Sequence, residues 1–190
     1  MRLRLLLILI GALALAPNAF ARGGAYVFDG GTAGEQAQVR AALAASSFDF
    51  SVVPATVTVH IARGVESRAL PGQVWLDADL LDGGTYAWGV VQHEFAHQVD
   101  FLLLDDARRT ALQAALGGIS WCSGAAHGQL GCERFADLVA WAYWQSPDNV
   151  LRPAGGGPLS PTAFRSLLSR LLPAPVRLTA AVKAPPLKRG

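Results

Sequence analysis

The stretch His93-Glu94-Phe95-Ala96-His97 combines the side chains with the greatest capacity for chemistry in this chain. It has the pattern H-E-x-x-H, and residues four apart on a helix lie one turn apart on the same face. Two imidazoles placed there can bind one zinc ion, and Glu94 can reach an adjacent water as a general base. The alternative is a surface helix that carries two histidines by chance. We favour the zinc interpretation because two of the four histidines in the sequence fall at this spacing.

The residues around the motif predict a largely buried helix that runs from Tyr86 to about Leu104, with Thr85 as its N-cap. His93, His97 and Asp100 share one side of this helix. Its apolar stripe lies on the opposite side and consists of Trp88, Val91, Phe95, Val99 and Leu102. We therefore expect a helix with the protein core on one side and a metal on the other.

A catalytic zinc usually has a third protein ligand, and Asp100 is one candidate. The metzincin motif would need Gly at position 100 and His or Asp at position 103, and the chain has Asp100 and Leu103. Asp100 lies one turn beyond His97 with a short side chain. We expect it to support the site from outside the ligand shell or to make a helix-end contact, with direct ligation as the less favoured alternative.

Glu133 is the better candidate for the third ligand. Glu133 and Asp137 lie four apart on a predicted helix from Glu133 to Trp144, so they share a face. Glu133 could bind the metal while Asp137 accepts the second N–H of a ligand histidine and fixes its orientation. The alternative is an ordinary solvated acidic face.

Cys122 and Cys132 are the only cysteines, and we predict that they form a disulfide. The alternative is a pair of free thiols. The enclosed loop is rich in glycine and alanine, and closing a loop of this length is worth roughly 2–3 kcal/mol in the chain-entropy description. Because Glu133 follows Cys132 directly, the disulfide would also hold the predicted ligand still.

These two stretches together resemble the gluzincin metallopeptidases, and the likeness is greatest to the anthrax toxin lethal-factor-like catalytic domain. That family has an H-E-F-x-H-x-x-D helix and a later E-x-F-A-[DE] helix, which match His93–Asp100 and Glu133–Asp137. The resemblance covers Gly72 to Trp144. It implies a zincin-like fold and Zn²⁺ bound by His93, His97 and Glu133. It also implies that Glu94 is the general base in peptide-bond hydrolysis.

The chain departs from this family at one position. The family has a tyrosine about seven residues before the ligand glutamate, where it is thought to steady the oxyanion, and this chain has Ala126 there. We predict that the neighbouring His127 is a catalytic donor in its place, although a plain loop histidine is an equal alternative. Tyr86 and Tyr143 are weaker candidates for the same role.

The pattern of the sequence predicts an α+β fold with a possible cleft between its halves. A short N-terminal sheet with one helix comes first, then the H-E-x-x-H helix and a mostly helical C-terminal half. Predicted strands cover residues 25–28, 56–61 and 73–76, and predicted helices beyond those above cover 34–46, 107–116 and 161–172. The Gln73–Leu76 strand resembles the edge strand along which zincins align a peptide, so Trp75 is a candidate substrate-binding residue, although a core aromatic is the favoured alternative. His60 is expected to be a surface histidine.

The chain ends predict export. Arg2 and Arg4, a short apolar run and Ala19-Phe20-Ala21 are typical of a cleaved signal peptide over residues 1–21. The catalytic domain is then 22–172, and the proline-rich stretch 173–190 is expected to be a disordered tail. The sequence has 16 Lys and Arg against 14 Asp and Glu, and the excess is Arg2 and Arg4. We therefore expect a secreted bacterial protein that binds no nucleic acid and has no stable membrane span after signal removal.

The functional prediction is a secreted zinc metallopeptidase whose partner is a peptide or protein substrate. Two alternatives share the same zinc chemistry. One is a zincin-like metal-binding module without peptidase activity, and the other is a zinc hydrolase that acts on a non-peptide amide. An intact Glu94 favours an enzyme, because a site that only binds metal does not need a general base.

Overall fold

The computed structural model describes residues 23–152 and 158–172. The predicted signal peptide and the predicted tail from 173 lie outside the described residues. Within them, the chain has an α+β fold with a small sheet and a larger helical part, so the predicted fold class is confirmed. No helix in these two ranges is long and apolar enough to cross a membrane.

A four-stranded sheet forms the first part of the domain, in the order β1-β2-β4-β3. The strands are β1 (Tyr26–Gly30), β2 (Val57–Ala62), β3 (Arg68–Leu70) and β4 (Gln73–Asp77). β1, β2 and β4 are parallel to one another, while β3 runs antiparallel to β4. The prediction that Gln73–Leu76 is an edge strand is therefore wrong. β4 lies between β2 and β3, and the two edges of the sheet are β1 and the short strand β3.

Five of the described helices follow the predicted order with shifted ends, and the short helix at Ala78–Leu81 was not predicted. The helices are α1 (Ala33–Ala45), α2 (Ala78–Leu81), α3 (Trp88–Leu103), α4 (Asp106–Leu116), α5 (Gly131–Tyr143) and α6 (Pro161–Leu171), with short 3₁₀ turns at Phe50–Val52, Gly84–Ala87 and His127–Gln129. Helix α1 has a capping box in which Thr32 and Glu35 satisfy each other's backbone N–H groups. Helix α6 begins with Ser160 as its cap and Pro161 at its first turn.

The prediction that Thr85 is the N-cap of the motif helix is wrong. Residues 84–87 form a 3₁₀ turn, and α3 begins only at Trp88. The Thr85 hydroxyl instead donates a hydrogen bond to Asp148 Oδ2 at 2.8 Å. Because a 3₁₀ turn continues directly into an α-helix, no side-chain cap is needed at this junction.

Helix α3 lies between the sheet and the other helices. The buried face of the sheet carries alternating residues such as Val59, Ile61, Val74 and Leu76, and they join one core cluster with Phe95. On its other sides α3 contacts α1 and α5. Every residue from Val91 to Asp100 is buried, which confirms that little of this helix is exposed.

Gln98 ties the hairpin between β3 and β4 to α3. Its Oε1 accepts a hydrogen bond from Gly72 N at 2.7 Å, and its Nε2 donates to Leu70 O at 2.9 Å and to Gln73 O at 3.1 Å. Gly72 has a φ of +75°, as the Pro-Gly turn at Pro71 requires. One fully buried side chain therefore sets the position of the edge strand relative to the motif helix.

We predict that Gln98→Ala destabilises the protein by about 2–4 kcal/mol, because it removes three hydrogen bonds and leaves a cavity where a fully buried amide had been. Urea unfolding followed by tryptophan fluorescence measures the change in the free energy of unfolding. Gln113→Ala is the matched control, since the Gln113 amide makes a single 3.4 Å contact with Gly118 O. Equal losses in the two variants would contradict the role given to Gln98.

Candidate metal centre

The two histidines of the motif converge on one point beside α3. Their Nε2 atoms lie 3.1 Å apart, and the residues are only 6% and 7% exposed. The helical spacing of His93 and His97 produces this arrangement, because residues four apart project from the same face. The paired imidazoles predicted from the sequence are therefore present and directed at a common centre.

Helix α5 brings Glu133 to the same centre. Its Oε2 atom lies 3.1 Å from His93 Nε2 and 3.4 Å from His97 Nε2. The packing of α5 against α3 provides this approach, and Ala136 and Ala140 on α5 are fully buried. The structure thus brings together the three side chains that were predicted from the sequence as metal ligands.

The spacing of these three atoms fits a tetrahedral metal. Zinc–nitrogen and zinc–oxygen bonds are about 2.0–2.2 Å, so two ligand atoms at a tetrahedral angle lie roughly 3.3–3.5 Å apart. The separations of 3.1, 3.1 and 3.4 Å are close to this value. A set of two imidazoles and one carboxylate suits zinc by ligand type as well. Two overlapping groups in this cluster have their ligand atoms close enough to hold a metal ion: His93 with Glu94 and His97, and His93 with His127 and Glu133.

Asp137 lies one turn after Glu133 and contacts the far side of His93. Its Oδ1 atom is 2.9 Å from His93 Nδ1, the nitrogen that faces away from the centre. A proton on Nδ1 leaves the Nε2 lone pair directed at the centre, which is the orientation that a metal ligand needs. His97 differs, because its buried Nδ1 has no hydrogen-bond partner among the described residues.

The ionisation of the cluster is strongly coupled. Burial alone would lower the pKa of His93, but its contacts with Asp137 and Glu133 outweigh burial and raise this pKa to about 9. Burial would raise the pKa of Glu133, but its contacts with His93 and His97 lower it well below the usual range. The pair therefore behaves as imidazolium and carboxylate near neutral pH, and a metal must displace the His93 proton.

Glu94, which the sequence predicted as a general base, lies beside this centre. It is 5% exposed, and its carboxylate lies within 4.8 Å of the ligand nitrogens of His93 and His97. Burial raises the pKa of Glu94, while the charges of His93 and His97 partly oppose that effect. A carboxylate with a raised pKa accepts a proton more readily, as proton transfer from water requires.

A cleft of about 350 Å³ opens onto the cluster. Its floor carries the site side chains, while one wall is the segment Glu66–Ala69, which includes the start of the edge strand β3. Phe101 lines the cleft next to His97, with the two rings nearly parallel and 5.9 Å apart. The centre is therefore buried among protein groups yet reachable from one side.

The predicted disulfide is present, and the loop that it closes places His127 beside the centre. Cys122 and Cys132 are joined with their Cα atoms 5.6 Å apart. His127 lies within the enclosed loop, and its Nε2 atom is 3.0 Å from Glu133 Oε2. The structure therefore places His127 at the site, in contact with a ligand carboxylate.

Asp100 makes its contacts outside the ligand shell and near the end of α3, in agreement with the favoured expectation. It is buried and forms no hydrogen bond to His93 or His97 within the described residues. Arg109 Nε donates to its Oδ1 at 2.8 Å, and Trp121 Nε1 lies 3.1 Å from both of its oxygens. Asp100 thus makes a structural contact that anchors the residue before Cys122, and ligation through Asp100 is not supported.

Trp75 lies away from the cleft, contrary to its predicted substrate-binding position. The strand β4 directs Val74 and Leu76 into the core, so Trp75 faces the opposite side of the sheet. There it stacks on the His60 ring at 4.8 Å and lies under the Arg68 guanidinium at 4.5 Å. His60 also contacts Asp29 at 2.8 Å on this outer face.

The two tyrosines considered as oxyanion donors do not line the cleft among the described residues. Tyr86 is 58% exposed in the 3₁₀ turn before α3. Tyr143 packs edge-on against Phe48 with ring centres 5.0 Å apart, and burial raises its pKa. The site histidine His127 is therefore closer to the centre than either tyrosine.

Comparison with known proteins adds no assignment: no protein-family model, curated protein or solved structure matches the chain. The fold and the site by themselves define the class as an α+β domain with a buried His–Glu cluster able to hold a metal.

The metal-free protein should lose stability as pH rises from about 6.5 to 9. The folded-state pKa of His93, about 9, lies above its ordinary value of 6.5, so the folded state holds this proton more tightly. The resulting stabilisation is complete below pH 6.5 and is lost as pH rises through 9, by up to about 3 kcal/mol. Thermal unfolding with a chelator should show this decline in wild type but not in His93→Gln. His60→Gln should keep it, and a flat wild-type profile would contradict the prediction.

Glu133→Gln should bind zinc far more weakly than wild type, because an amide oxygen is a neutral ligand and the cluster loses its negative charge. Competition with a chromogenic chelator measures the affinity. Glu66→Gln is the matched control, since Glu66 lines the same cleft but, within residues 23–152 and 158–172, belongs to neither group of side chains spaced to hold a metal. Equal affinities in wild type and Glu133→Gln would exclude Glu133 as a ligand.

Proposed function

We propose that this chain is a zinc-dependent metallopeptidase of the gluzincin type. The observation that carries the proposal is the convergence of His93, His97 and Glu133 at 3.1–3.4 Å beside the buried Glu94, at the base of an accessible cleft. The sequence resemblance to the lethal-factor-like catalytic domain supports the same assignment. A site of this kind needs three protein ligands and a nearby base, and the cluster contains both.

His93, His97 and Glu133 would hold the metal, and Asp137 would orient His93 through its Nδ1. When bound, zinc supplies a Lewis acid that lowers the pKa of water and polarises a carbonyl group. Glu94 takes a proton from the attacking water and passes it to the amine nitrogen that leaves. The burial that raises the pKa of Glu94 suits both steps, because the carboxyl group must accept a proton and then release it.

The edge strand supports a peptide as the substrate. Strand β3 pairs with β4 on one side only, and the segment 66–69 forms a wall of the cleft. An extended chain could add to the free side of β3 through backbone hydrogen bonds. Gln98 fixes this strand against α3, so the bound chain would pass the catalytic centre at a set distance.

Export through a cleaved signal peptide belongs to the same proposal. Its support is the leader-like composition of residues 1–21 together with the Cys122–Cys132 disulfide. Disulfides persist in oxidising compartments and are rare in the cytosol. The disulfide encloses His127 and directly precedes Glu133, so the site would mature only after the protein reaches such a compartment.

A metal-binding module without hydrolysis is the second candidate, and one observation favours it. His127 lies 3.0 Å from Glu133, and His93, His127 and Glu133 form a second group of side chains spaced to hold a metal ion, to which His97 would add a fourth ligand. Closed four-ligand zinc sites are structural rather than catalytic. The buried Glu94, with its raised pKa, favours the enzyme instead.

Glu94→Gln separates the two candidates. The zinc-loaded wild type should cleave members of a diverse peptide library, and Glu94→Gln should bind about one zinc per chain yet lose at least about 100-fold in turnover. Mass spectrometry of the products, with metal analysis of both proteins, provides the measurement. Absence of zinc from both proteins would refute the metal centre. Cleavage at equal rates would refute the base, and no cleavage by a zinc-loaded wild type would favour the binding module.

A further inference from the structure

His127 has a placement that the proposed peptidase mechanism does not require. Its Nε2 atom lies 3.0 Å from Glu133 Oε2, and its ligand atom lies within 4.8 Å of those of His93 and Glu133. We propose that His127 is a fourth protein ligand that closes the metal centre in the substrate-free protein, so that hydrolysis requires this side chain to swing away. The proposal rests on the metal centre of the proposed function, and it concerns the regulation of that centre.

His127 approaches the same carboxylate oxygen of Glu133 as the two motif histidines do. Three imidazole nitrogens surround the same carboxylate oxygen, at 3.0 Å for His127, 3.1 Å for His93 and 3.4 Å for His97. These separations are close to the edge of a zinc tetrahedron, roughly 3.3–3.5 Å. His127 therefore has the separation from Glu133 that a fourth ligand would have.

The backbone that carries His127 is fixed at several points. The disulfide closes the base of the loop, where Gly131 N also donates to Ser120 O at 2.8 Å and Cys132 N to Trp121 O at 2.9 Å. Arg134 Nε reaches Gly128 O at 3.2 Å, directly after His127. This support restricts the backbone to a position from which the imidazole reaches the centre.

The side chain itself is free to leave. The His127 side chain is 75% exposed, whereas those of His93 and His97 are 8% and 9% exposed. Rotation of His127 into solvent would therefore uncover little apolar surface and disrupt little packing. The buried imidazoles of His93 and His97 would stay on the metal, while the exposed imidazole of His127 could bind and leave. His127 could therefore close the metal centre reversibly.

Closure by His127 has a clear chemical consequence. A zinc ion with four protein ligands has no open position for water or substrate, whereas a catalytic zinc has three protein ligands. The same imidazole cannot act as an oxyanion donor while it occupies that position. The peptidase would therefore be latent until a substrate or a loop movement displaces His127, and the departed imidazole would then be available as a donor.

X-ray absorption spectroscopy of the zinc-loaded full chain tests the closure, because it counts the imidazoles bound to the metal. We expect signals for His93, His97 and His127 in wild type and one imidazole fewer in His127→Ala, together with weaker zinc binding in the competition assay. His60→Ala removes a histidine outside the site and should match wild type in both measurements. An imidazole count that is the same in wild type and His127→Ala overturns the proposal.

Failure of this proposal can be told apart from failure of the metal centre. If wild type binds no zinc, the proposed function falls and this inference falls with it. If wild type and His127→Ala both bind about one zinc with the imidazoles of His93 and His97 alone, the metal centre stands and only the closure is refuted. The exposed position of His127 means that His127→Ala should fold normally, which circular dichroism checks.

Discussion

The burial of a polar helix is the constraint on which the rest of this structure depends. Helix α3 buries Gln92, His93, Glu94, His97, Gln98 and Asp100 in the middle of the domain. A buried polar group without a hydrogen-bond partner lowers the free energy of unfolding by about 1–3 kcal/mol. With six such residues in one helix, the protein would not fold unless the neighbouring elements supplied partners. Each neighbour therefore contacts α3 through polar groups as well as through apolar packing.

Each partner belongs to a different part of the chain. Gln92 donates to Ala42 O at the end of α1, and Gln98 binds the β3–β4 hairpin. Asp100 binds Arg109 of α4 and the tryptophan before the disulfide loop, and His93 binds α5 through Glu133 and Asp137. The hydrogen bonds that pair the buried polar side chains of α3 thus also bring the residues of the candidate site together. Gln92 Oε1 and His97 Nδ1 are buried and have no hydrogen-bond partner in the part of the chain that the structure describes.

Local patterns in the sequence were enough to predict the central features of the site. The four-residue spacing placed His93 beside His97 and Glu133 beside Asp137, because each spacing acts within one helix. Strand β3 was missed because three residues are too few to show alternation, and without β3 the neighbouring strand was taken as the edge. The partners of Gln98 and Asp100 were also unpredictable, since they depend on tertiary contacts. Trp75 was misassigned because alternation identifies two faces of a strand without showing which one meets the cleft.

The short length of β3 limits how long a segment can pair with this edge of the sheet. A strand of three residues is about 10 Å long, and only alternate residues of an antiparallel partner form close backbone pairs with it. An unpaired edge on a longer strand can recruit the edges of other molecules and lead to aggregation. In this protein the free edge lies beside the cleft and is brief, so it can accept a guest segment of a few residues while offering too little length for two sheets to join.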